Sequence, residues 1–261
     1  MKRFLQYFLI IFLAVSVRSL ALAEEQKKPV EIGIDEKLGN QLPLETEFFN
    51  EKGYLVSLKE IITKPTIIVF VYYKCPGICS PILTELTTIV NHMDMEIGKE
   101  YQIVTLSFDN TEKFDLAAAK KENYFSLLNK TIPEQSWIFL TGDSASIRKV
   151  TNAAGFMFKK EGNDFIHAGT ITVLSPEGKI ARYLYGTQYL PFDVKMAIVE
   201  ASEGRTGPTI NKLLRYCFSY SPEGRKYVLN VTQISGAIIL LFAGVFVIFL
   251  TMKSKKNNNA R

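Results

Sequence analysis

The sequence predicts an α/β protein, and three observations support this class. Apolar, β-branched runs typical of buried strands occur at 66–73, 101–108 and 137–140. Amphipathic segments typical of helices follow each run, and the series ends in a strand pair and a last helix. Strands that alternate with helices favour a mostly parallel sheet covered by helices.

The predicted domain, residues 46–202, begins with a hairpin and a short helix. The segment EFFNEKGYLV carries a turn signal from Asn50 to Gly53, which predicts a β-hairpin at 47–56. A short helix is expected next, near 57–62.

The strand at 66–73 leads into a turn that carries Cys75 and Cys79 around a Pro-Gly pair. We expect Ser80 to be the N-cap of the next helix, with Pro81 at its first position. Both thiols would then lie close to a helix N-terminus, where the dipole favours the thiolate form. That form attacks disulfides and binds metals, so the turn is a candidate site.

A purely structural role for this cysteine pair is a weak explanation. A disulfide across so short a loop would stabilise the fold by only about 2 kcal/mol. Two chemical interpretations remain open at this point: a dithiol that cycles with a disulfide, or a site for a soft metal ion such as Cu(I).

The remaining elements continue the alternation of strands and helices. In chain order they are a helix at 81–97 that ends before Gly98, a helix at 112–128, a helix at 143–154 with Asp143 as its N-cap, an apolar segment at 156–160, a strand pair at 170–174 and 180–185, and a helix at 191–202. With the first hairpin, this order describes a thioredoxin-like α/β sandwich.

The N-terminal end of the chain predicts export. Residues 1–23 begin with Lys2 and Arg3, continue through an apolar run and end in Ala-Leu-Ala, the layout of a secretory signal. Residues 24–45 are polar and mixed, and we expect an exposed leader there.

The C-terminal end predicts a membrane anchor. After a juxtamembrane segment at 203–230, residues 231–252 are apolar enough and long enough to form a transmembrane helix. The tail at 253–261 carries only basic charges, so the positive-inside rule places it in the cytoplasm. The domain is therefore expected on the extracytoplasmic, periplasmic side, an oxidising compartment where a close cysteine pair is redox-active or metal-loaded.

The charge distribution excludes nucleic acid as a partner. The net charge is +5, but the signal contributes +3 and the tail +4, which leaves −2 for residues 24–252. A domain without a basic surface lacks the electrostatic footprint that nucleic acid requires.

The chain contains two histidines. His167 precedes the strand at 170–174, and pairing of that strand with 66–73 would bring its imidazole near the thiols. Two thiolates and an imidazole suit copper. His92, together with Met93 and Met95, is a weaker soft-metal candidate, because methionines at a helix end usually pack in the core.

Several motifs between residues 30 and 202 together resemble the Sco/SenC family: Cys75-Pro76-x-x-Cys79 after VFVYY, Ser107-Phe108-Asp109, Leu140-Thr141-Gly142, and His167 before TVLSPEGKIARYLYG. Members are membrane-anchored, thioredoxin-like copper proteins that help to assemble the CuA centre of cytochrome c oxidase. The resemblance is strongest to bacterial members with an additional C-terminal membrane helix.

This resemblance implies a metallochaperone rather than an enzyme. Cys75, Cys79 and His167 would bind copper, and the two cysteines would form a redox disulfide. The CuA-bearing oxidase subunit, or another cupro-oxidase client, would receive the ion. Asp109 would face the partner. The chain departs from the family at Ile166, where members have Asp, and at Asn110, where they have Pro.

A thiol-disulfide oxidoreductase that reduces client cysteines is the main alternative. Such enzymes use C-x-x-C with an opposing cis-proline, whereas this chain has one more residue between its cysteines and no proline between 134 and 175. A peroxiredoxin would need Thr three residues before its reactive cysteine, where Tyr72 or Pro76 stands. For Cys217, an inert thiol, an intermolecular disulfide and an auxiliary redox or metal role all remain open.

Overall fold

The computed structural model describes residues 32–162 and 164–207, and the backbone of two short strands further on. The strands are β1 (Gly33–Ile34), β2 (Glu47–Asn50), β3 (Leu55–Ser57), β4 (Thr66–Val71), β5 (Gln102–Ser107), β6 (Trp137–Thr141), β7 (Phe156–Met157), β8 (Lys159–Glu161), β9 (Asp164–Ile166), β10 (Thr170–Leu174), β11 (Ile180–Tyr185), β12 (Phe218–Ser221) and β13 (Lys226–Leu229). The helices are α1 (Leu58–Ile61), α2 (Cys79–His92), α3 (Phe114–Phe125), α4 (Ser144–Ala153) and α5 (Pro191–Ser202), with a 3₁₀ turn at Glu134–Ser136.

A central sheet organises the described part of the chain, in the order β11-β10-β4-β5-β6-β2-β3. Strands β4, β5 and β6 run parallel, whereas β10 pairs antiparallel with β4 and β2 pairs antiparallel with β6. Every residue of β4 and β5 is buried, so both faces of the sheet are covered. The predicted α/β class is therefore confirmed.

Helices and aromatic side chains supply the covering layers. Helix α3 packs on β6, and α5 packs on β10 and β11. Tyr124 of α3 stacks with Trp137 and Phe139 of β6, and the Trp137 indole N–H donates to Thr105 Oγ1 at 2.9 Å. The indole therefore keeps its apolar surface in the core without an unsatisfied donor.

Local signals in the sequence explain the correctly predicted elements. The hairpin β2–β3 turns at the expected place, and Gly53 has φ +79° there. Helix α1 has a capping box, because Ser57 accepts from the Glu60 N–H while the Glu60 carboxylate accepts from the Ser57 N–H. Asp143 is the N-cap of α4 as predicted.

The predicted bounds of the helix after the cysteine turn were wrong at both ends. Helix α2 begins at Cys79, its N-cap is Ile78 and no side chain caps it, so Ser80 lies inside the first turn. The helix ends at His92 because Met93 adopts an extended backbone, well before the predicted end at Gly98. A proline within the first turn lacks only an N–H that the helix does not use, so Pro81 does not mark the start.

The segment before the first hairpin also differs from the prediction. We expected an exposed leader at 24–45, but β1 pairs with β7, and Gln41 forms a bridge with Lys179. Leu42 is buried, so the described part of this segment belongs to the domain. The small hairpin β8–β9 is a further element that the sequence did not predict.

Several predicted segments lie outside the described residues. They are the signal at 1–23, the rest of the leader up to residue 31, the membrane span at 231–252, the basic tail and Cys217. Among the residues that the structure describes, no helix is long and apolar enough to cross a membrane.

Candidate metal centre

The two predicted site loops meet at the carboxyl end of β4. Strand β10 pairs with β4 so that Ile171 lies opposite Val69. Because the pairing is antiparallel, the residues that precede β10 lie beyond the end of β4, beside the cysteine turn. The sheet register thus brings His167 to the turn between β4 and α2.

Three donor atoms converge at this point. The sulfurs of Cys75 and Cys79 and a ring nitrogen of His167 all lie within 4.8 Å of one another. Cys79 Sγ and His167 Nε2 lie 3.5 Å apart. Both cysteines are free thiols. The predicted proximity of the three residues is confirmed.

The two cysteines have different environments. Cys79 is the first residue of α2 and is only 2% exposed, whereas Cys75 lies in the turn and is partly buried. The Cys75 N–H donates to the Tyr72 carbonyl at 3.1 Å, and the Cys75 sulfur accepts from the Gly77 N–H at 3.3 Å. The turn therefore directs one backbone donor at the more accessible sulfur.

These environments divide the charge unequally between the two sulfurs. A hydrogen bond from the Cys79 thiol, together with the Gly77 N–H, lowers the pKa of Cys75 to about 3 against the opposing effect of partial burial. The same hydrogen bond, together with burial, raises the pKa of Cys79. The pair thus holds one thiolate, on Cys75, and one proton, on Cys79.

His167 presents the nitrogen that a metal needs. Its Nδ1 lies 3.0 Å from the Ala168 carbonyl oxygen, which can only accept, so Nδ1 carries the proton of that hydrogen bond. The lone pair of Nε2 is then free to face the sulfurs. A backbone carbonyl thus orients the ring in a chain that has Ile166 at the position where the family has Asp.

Aromatic rings surround the imidazole. The centroid of Phe108 lies 5.1 Å from that of His167, with Phe156 at 5.9 Å and Tyr72 at 6.1 Å. Burial and a hydrogen bond to Cys75 raise the pKa of Tyr72, which keeps its phenol neutral. The rings restrict the orientation of His167 and exclude water from one side of the donor group.

A close glycine contact joins the histidine loop to the end of β11. The Gly186 N–H donates to the Gly169 carbonyl at 2.9 Å. A Cβ added to Gly169 would lie 3.2 Å from the Gly186 oxygen and 3.6 Å from Ile78 Cδ1. The absence of a side chain at Gly169 therefore leaves room for Ile78 of the cysteine turn to pack beside the histidine loop.

Sequence reasoning missed one acidic residue next to the site. Glu112 is 2% exposed, and its carboxylate accepts hydrogen bonds from the Tyr73 and Lys74 N–H groups and from the Ser107 hydroxyl. Burial raises the pKa of this carboxyl, and the three donors oppose the rise. The sequence pattern places Glu112 at the start of a predicted helix. An acidic residue shortly after a buried strand is a weak signal for such a contact.

The other candidate residues lie apart from the donor group. Asp109 is partly buried, and its carboxylate accepts from the N–H and hydroxyl of Thr111, so its partner-facing role stays a prediction. Met93 and Met95 are buried in the core, and His92 is exposed with Nδ1 2.8 Å from the Thr88 carbonyl oxygen. The methionines thus pack, as the sequence favoured.

The donor group has the chemistry of a soft, low-coordinate metal site. Two cysteine sulfurs and one neutral imidazole match the preference of Cu(I) and related ions, and a cation would displace the proton of Cys79. The same two sulfurs are close enough for thiol–disulfide chemistry.

Comparisons with known proteins agree with this description. The SCO1/SenC family model matches residues 36–200. A SCO1 protein homolog of Bacillus subtilis (strain 168) is 26% identical over 150 residues, which cover 56% of this chain and 75% of that protein.

Solved structures are similar over the same region. A proposed electron transfer protein from Aquifex aeolicus VF5 is 27% identical with a TM-score of 0.59, and the match covers 64% of this chain and 95% of that chain. Arabidopsis thaliana ScoI with copper bound has 20% identity, a TM-score of 0.50 and coverage of 64% and 98%, a likeness that shows the fold alone. Because the family model matches more than half of its length, this chain belongs to the SCO1/SenC family.

Proposed function

We propose that this protein is a membrane-anchored copper chaperone that binds copper through Cys75, Cys79 and His167. Its client is the CuA-bearing subunit of cytochrome c oxidase or another cupro-oxidase. The convergence of two sulfurs and one imidazole nitrogen within 4.8 Å is the observation that carries this proposal. Family membership supports the choice of copper among soft metals.

Delivery follows from the number and exposure of the donors. Three donors grip Cu(I) yet leave one side of the ion open, so an incoming client thiolate can bind before the old ligands leave. Cys75 and His167 are partly buried and Cys79 is buried, so the client approaches from the side of Cys75. The ion then passes between ligand sets without a change of oxidation state.

The proposed location is the periplasmic face of the cytoplasmic membrane. The secretory signal at 1–23, the apolar segment at 231–252 and the basic tail that follows support this placement. A copper carrier in that compartment meets the domain of an oxidase subunit that faces the same side.

Copper stoichiometry and transfer test the proposal. The purified full-length chain, fully reduced, should retain one copper ion and lose it to a reduced CuA-domain fragment. The same protein oxidised to the Cys75–Cys79 disulfide is the matched control and should hold none, because a disulfide offers no thiolate. A reduced protein that never retains copper would reject the proposal.

Thiol–disulfide reduction is a second candidate, favoured by the unequal cysteines. The Cys75 thiolate is placed to attack a client disulfide, which releases one client thiol and leaves a mixed disulfide. Cys79 then attacks the sulfur of Cys75, so that the second client thiol leaves and the Cys75–Cys79 disulfide forms. Two electrons pass to the client. Catalytic reduction of a client disulfide by a metal-free parent protein would favour this function.

A further inference from the structure

A buried carboxylate lies beneath the cysteine turn, and the proposed copper chemistry does not use it. Glu112 Oε2 accepts from the Tyr73 N–H at 2.7 Å and from the Ser107 hydroxyl at 2.6 Å, and Oε1 accepts from the Lys74 N–H at 2.8 Å. All three partners donate, so the contacts are made for the carboxylate anion. No Lys or Arg of the described region forms an ion pair with it.

The two backbone contacts lie just beyond the end of β4. Strand β4 ends at Val71, so the N–H groups of Tyr73 and Lys74 lie beyond the pairing that β4 makes with β5 and β10. Buried backbone donors need a partner. The two oxygens of Glu112 satisfy two consecutive peptide groups, which fixes the direction of the chain where it leaves the sheet.

Those peptide groups directly precede Cys75. Helix α2 holds Cys79, because Cys79 is its first residue. Cys75 has no regular element to hold it, and its own N–H bonds back to Tyr72 in the same turn. The position of the Cys75 sulfur relative to the Cys79 sulfur therefore depends on the segment that Glu112 binds.

We infer that Glu112 is a positioning residue of the metal centre, which fixes the peptides before Cys75 and so sets the spacing of the two sulfurs. The expected effect of Glu112 on copper binding rests on the proposed function. Its expected effect on the reduction potential of the Cys75/Cys79 couple does not. Glu112 does not touch the metal; it acts through the backbone of Tyr73 and Lys74.

The negative charge of Glu112 and its hydrogen bonds to the turn should both favour the disulfide over the reduced cysteine pair. A buried anion bonded to the peptides before Cys75 opposes a second thiolate and favours a bound cation, since charges interact strongly where water is excluded. Removing this charge should favour the reduced pair over the neutral disulfide. A looser turn also favours the reduced pair, because the two sulfurs meet less often.

Glu112→Gln tests the inference in the purified full-length protein, with Ser107→Ala as the matched control. The glutamine keeps the size but loses the charge and places a donor where an N–H already points. We expect roughly 10- to 100-fold weaker Cu(I) binding, the scale for loss of a residue that orients a ligand. We also expect a higher reduction potential of the Cys75/Cys79 couple. Ser107→Ala removes one donor to the same carboxylate but keeps its charge and both of its contacts to the turn, so it should change both measurements much less than Glu112→Gln.

A merely structural role gives a different pattern. It would lower the free energy of unfolding of Glu112→Gln while the folded protein keeps the parent's potential and copper affinity, and that outcome overturns the inference. A parent that holds no copper defeats the proposed function, yet the potential of the couple still tests Glu112.

If Glu112→Gln does not fold, hydrogen exchange in the parent decides. The amides of Tyr73 and Lys74 lie outside the sheet but should exchange as slowly as those inside β4, because a buried carboxylate holds them. Fast exchange at both amides overturns the inference.

Discussion

His167 Nε2 lies 3.5 Å from Cys79 Sγ, although the two residues are 88 positions apart in the chain. The antiparallel pairing of β10 with β4 creates this proximity, and the contact between Gly169 and Gly186 joins the histidine loop to β11. The donor group is therefore complete only after the first and last parts of the domain have folded together. Copper binding should consequently be sensitive to substitutions at the glycine contact as well as at the donors.

Replacing His167 with alanine should weaken copper binding while leaving the fold intact. The imidazole supplies one of three donors, and the partly buried loop position limits the packing that is lost. We expect a loss of Cu(II) affinity beyond the roughly 10- to 100-fold typical of an outer-shell residue, because Cu(II) prefers nitrogen. The loss for Cu(I) should be smaller, because both thiolates remain. Competition titrations with chelators of each ion measure both affinities.

His92→Ala is the matched control for this experiment. His92 is the second histidine of the chain, is exposed and contacts only the Thr88 carbonyl among the hydrogen bonds of the described residues. It should bind copper like the parent. Unchanged affinity for both copper states in His167→Ala would refute the three-donor site.

The thiolate of Cys75 should remain reactive in mildly acidic solution. Its pKa is lowered to about 3, chiefly by the hydrogen bond from Cys79, and the reactive thiolate exists above that value. The rate of alkylation by iodoacetamide should therefore change little between about pH 7 and about pH 5, whereas an ordinary thiol slows roughly tenfold per pH unit. Peptide mass spectrometry assigns the modified cysteine.

Cys79→Ala supplies the comparison for the pH measurement. It removes the donor that stabilises the Cys75 thiolate, so alkylation of Cys75 should slow as the pH falls through the same range. A parent protein in which Cys75 already behaves like an ordinary thiol would contradict the assignment of the charge.

The proposed topology can be tested with reporter fusions. A reporter that is active only in the cytoplasm should work when fused after Arg261 and fail when fused near Glu203, because the basic tail is expected inside. A reporter that is active only outside the cytoplasm should show the opposite pattern. If the cytoplasmic reporter worked near Glu203 and failed after Arg261, the proposed location would have to be abandoned.

Cys217→Ser should leave copper stoichiometry and client maturation unchanged. The donor group found in the described residues is complete without Cys217, which lies outside them. Cys75→Ser provides the positive control and should abolish copper retention. A comparable copper loss in Cys217→Ser would mean that the juxtamembrane segment contributes to the site.

Gly155→Ala should destabilise the domain by about 3 kcal/mol. Gly155 has φ +64°, which costs alanine about 1–2 kcal/mol. A Cβ there would also overlap the Asp35 carbonyl oxygen, whose segment packs on the domain through β1.

Gly162→Ala controls for the backbone effect of this substitution. Gly162 has φ +62°, and a Cβ there meets no atom within 4 Å, so the substitution should cost only the backbone term of about 1–2 kcal/mol. Denaturant unfolding of both variants measures the difference. Equal losses would show that the segment around Asp35 does not press on Gly155.

The strands and the donor group could be predicted because short-range patterns carry them. Continuous apolar runs indicated β4 and β5, and the capping residues Ser57 and Asp143 act as expected. The three donors followed from residue chemistry, strand pairing and the resemblance. The approach of the three donors within 4.8 Å of one another could be predicted once β10 was paired with β4.

The rest depends on contacts that leave little trace in a single sequence. The start of α2 is set by the cysteine turn rather than by a capping side chain, so cap-based reasoning placed it too late. The packing of Leu42 and the burial of Glu112 come from partners far along the chain. A polar segment and an acidic helix start both predict solvent exposure, and tertiary structure overrides both.

The unequal exposure of the donors also governs how this protein meets other molecules. Cys79 lies behind the other two donors, and aromatic rings close the far side of His167. An ion must therefore arrive and depart on the same side of the site, the side of Cys75. In the proposed function, the source of the copper and its recipient would compete for this one side of the site and could not bind at the same time. The proposed delivery therefore requires two separate encounters, one with the source and a later one with the recipient.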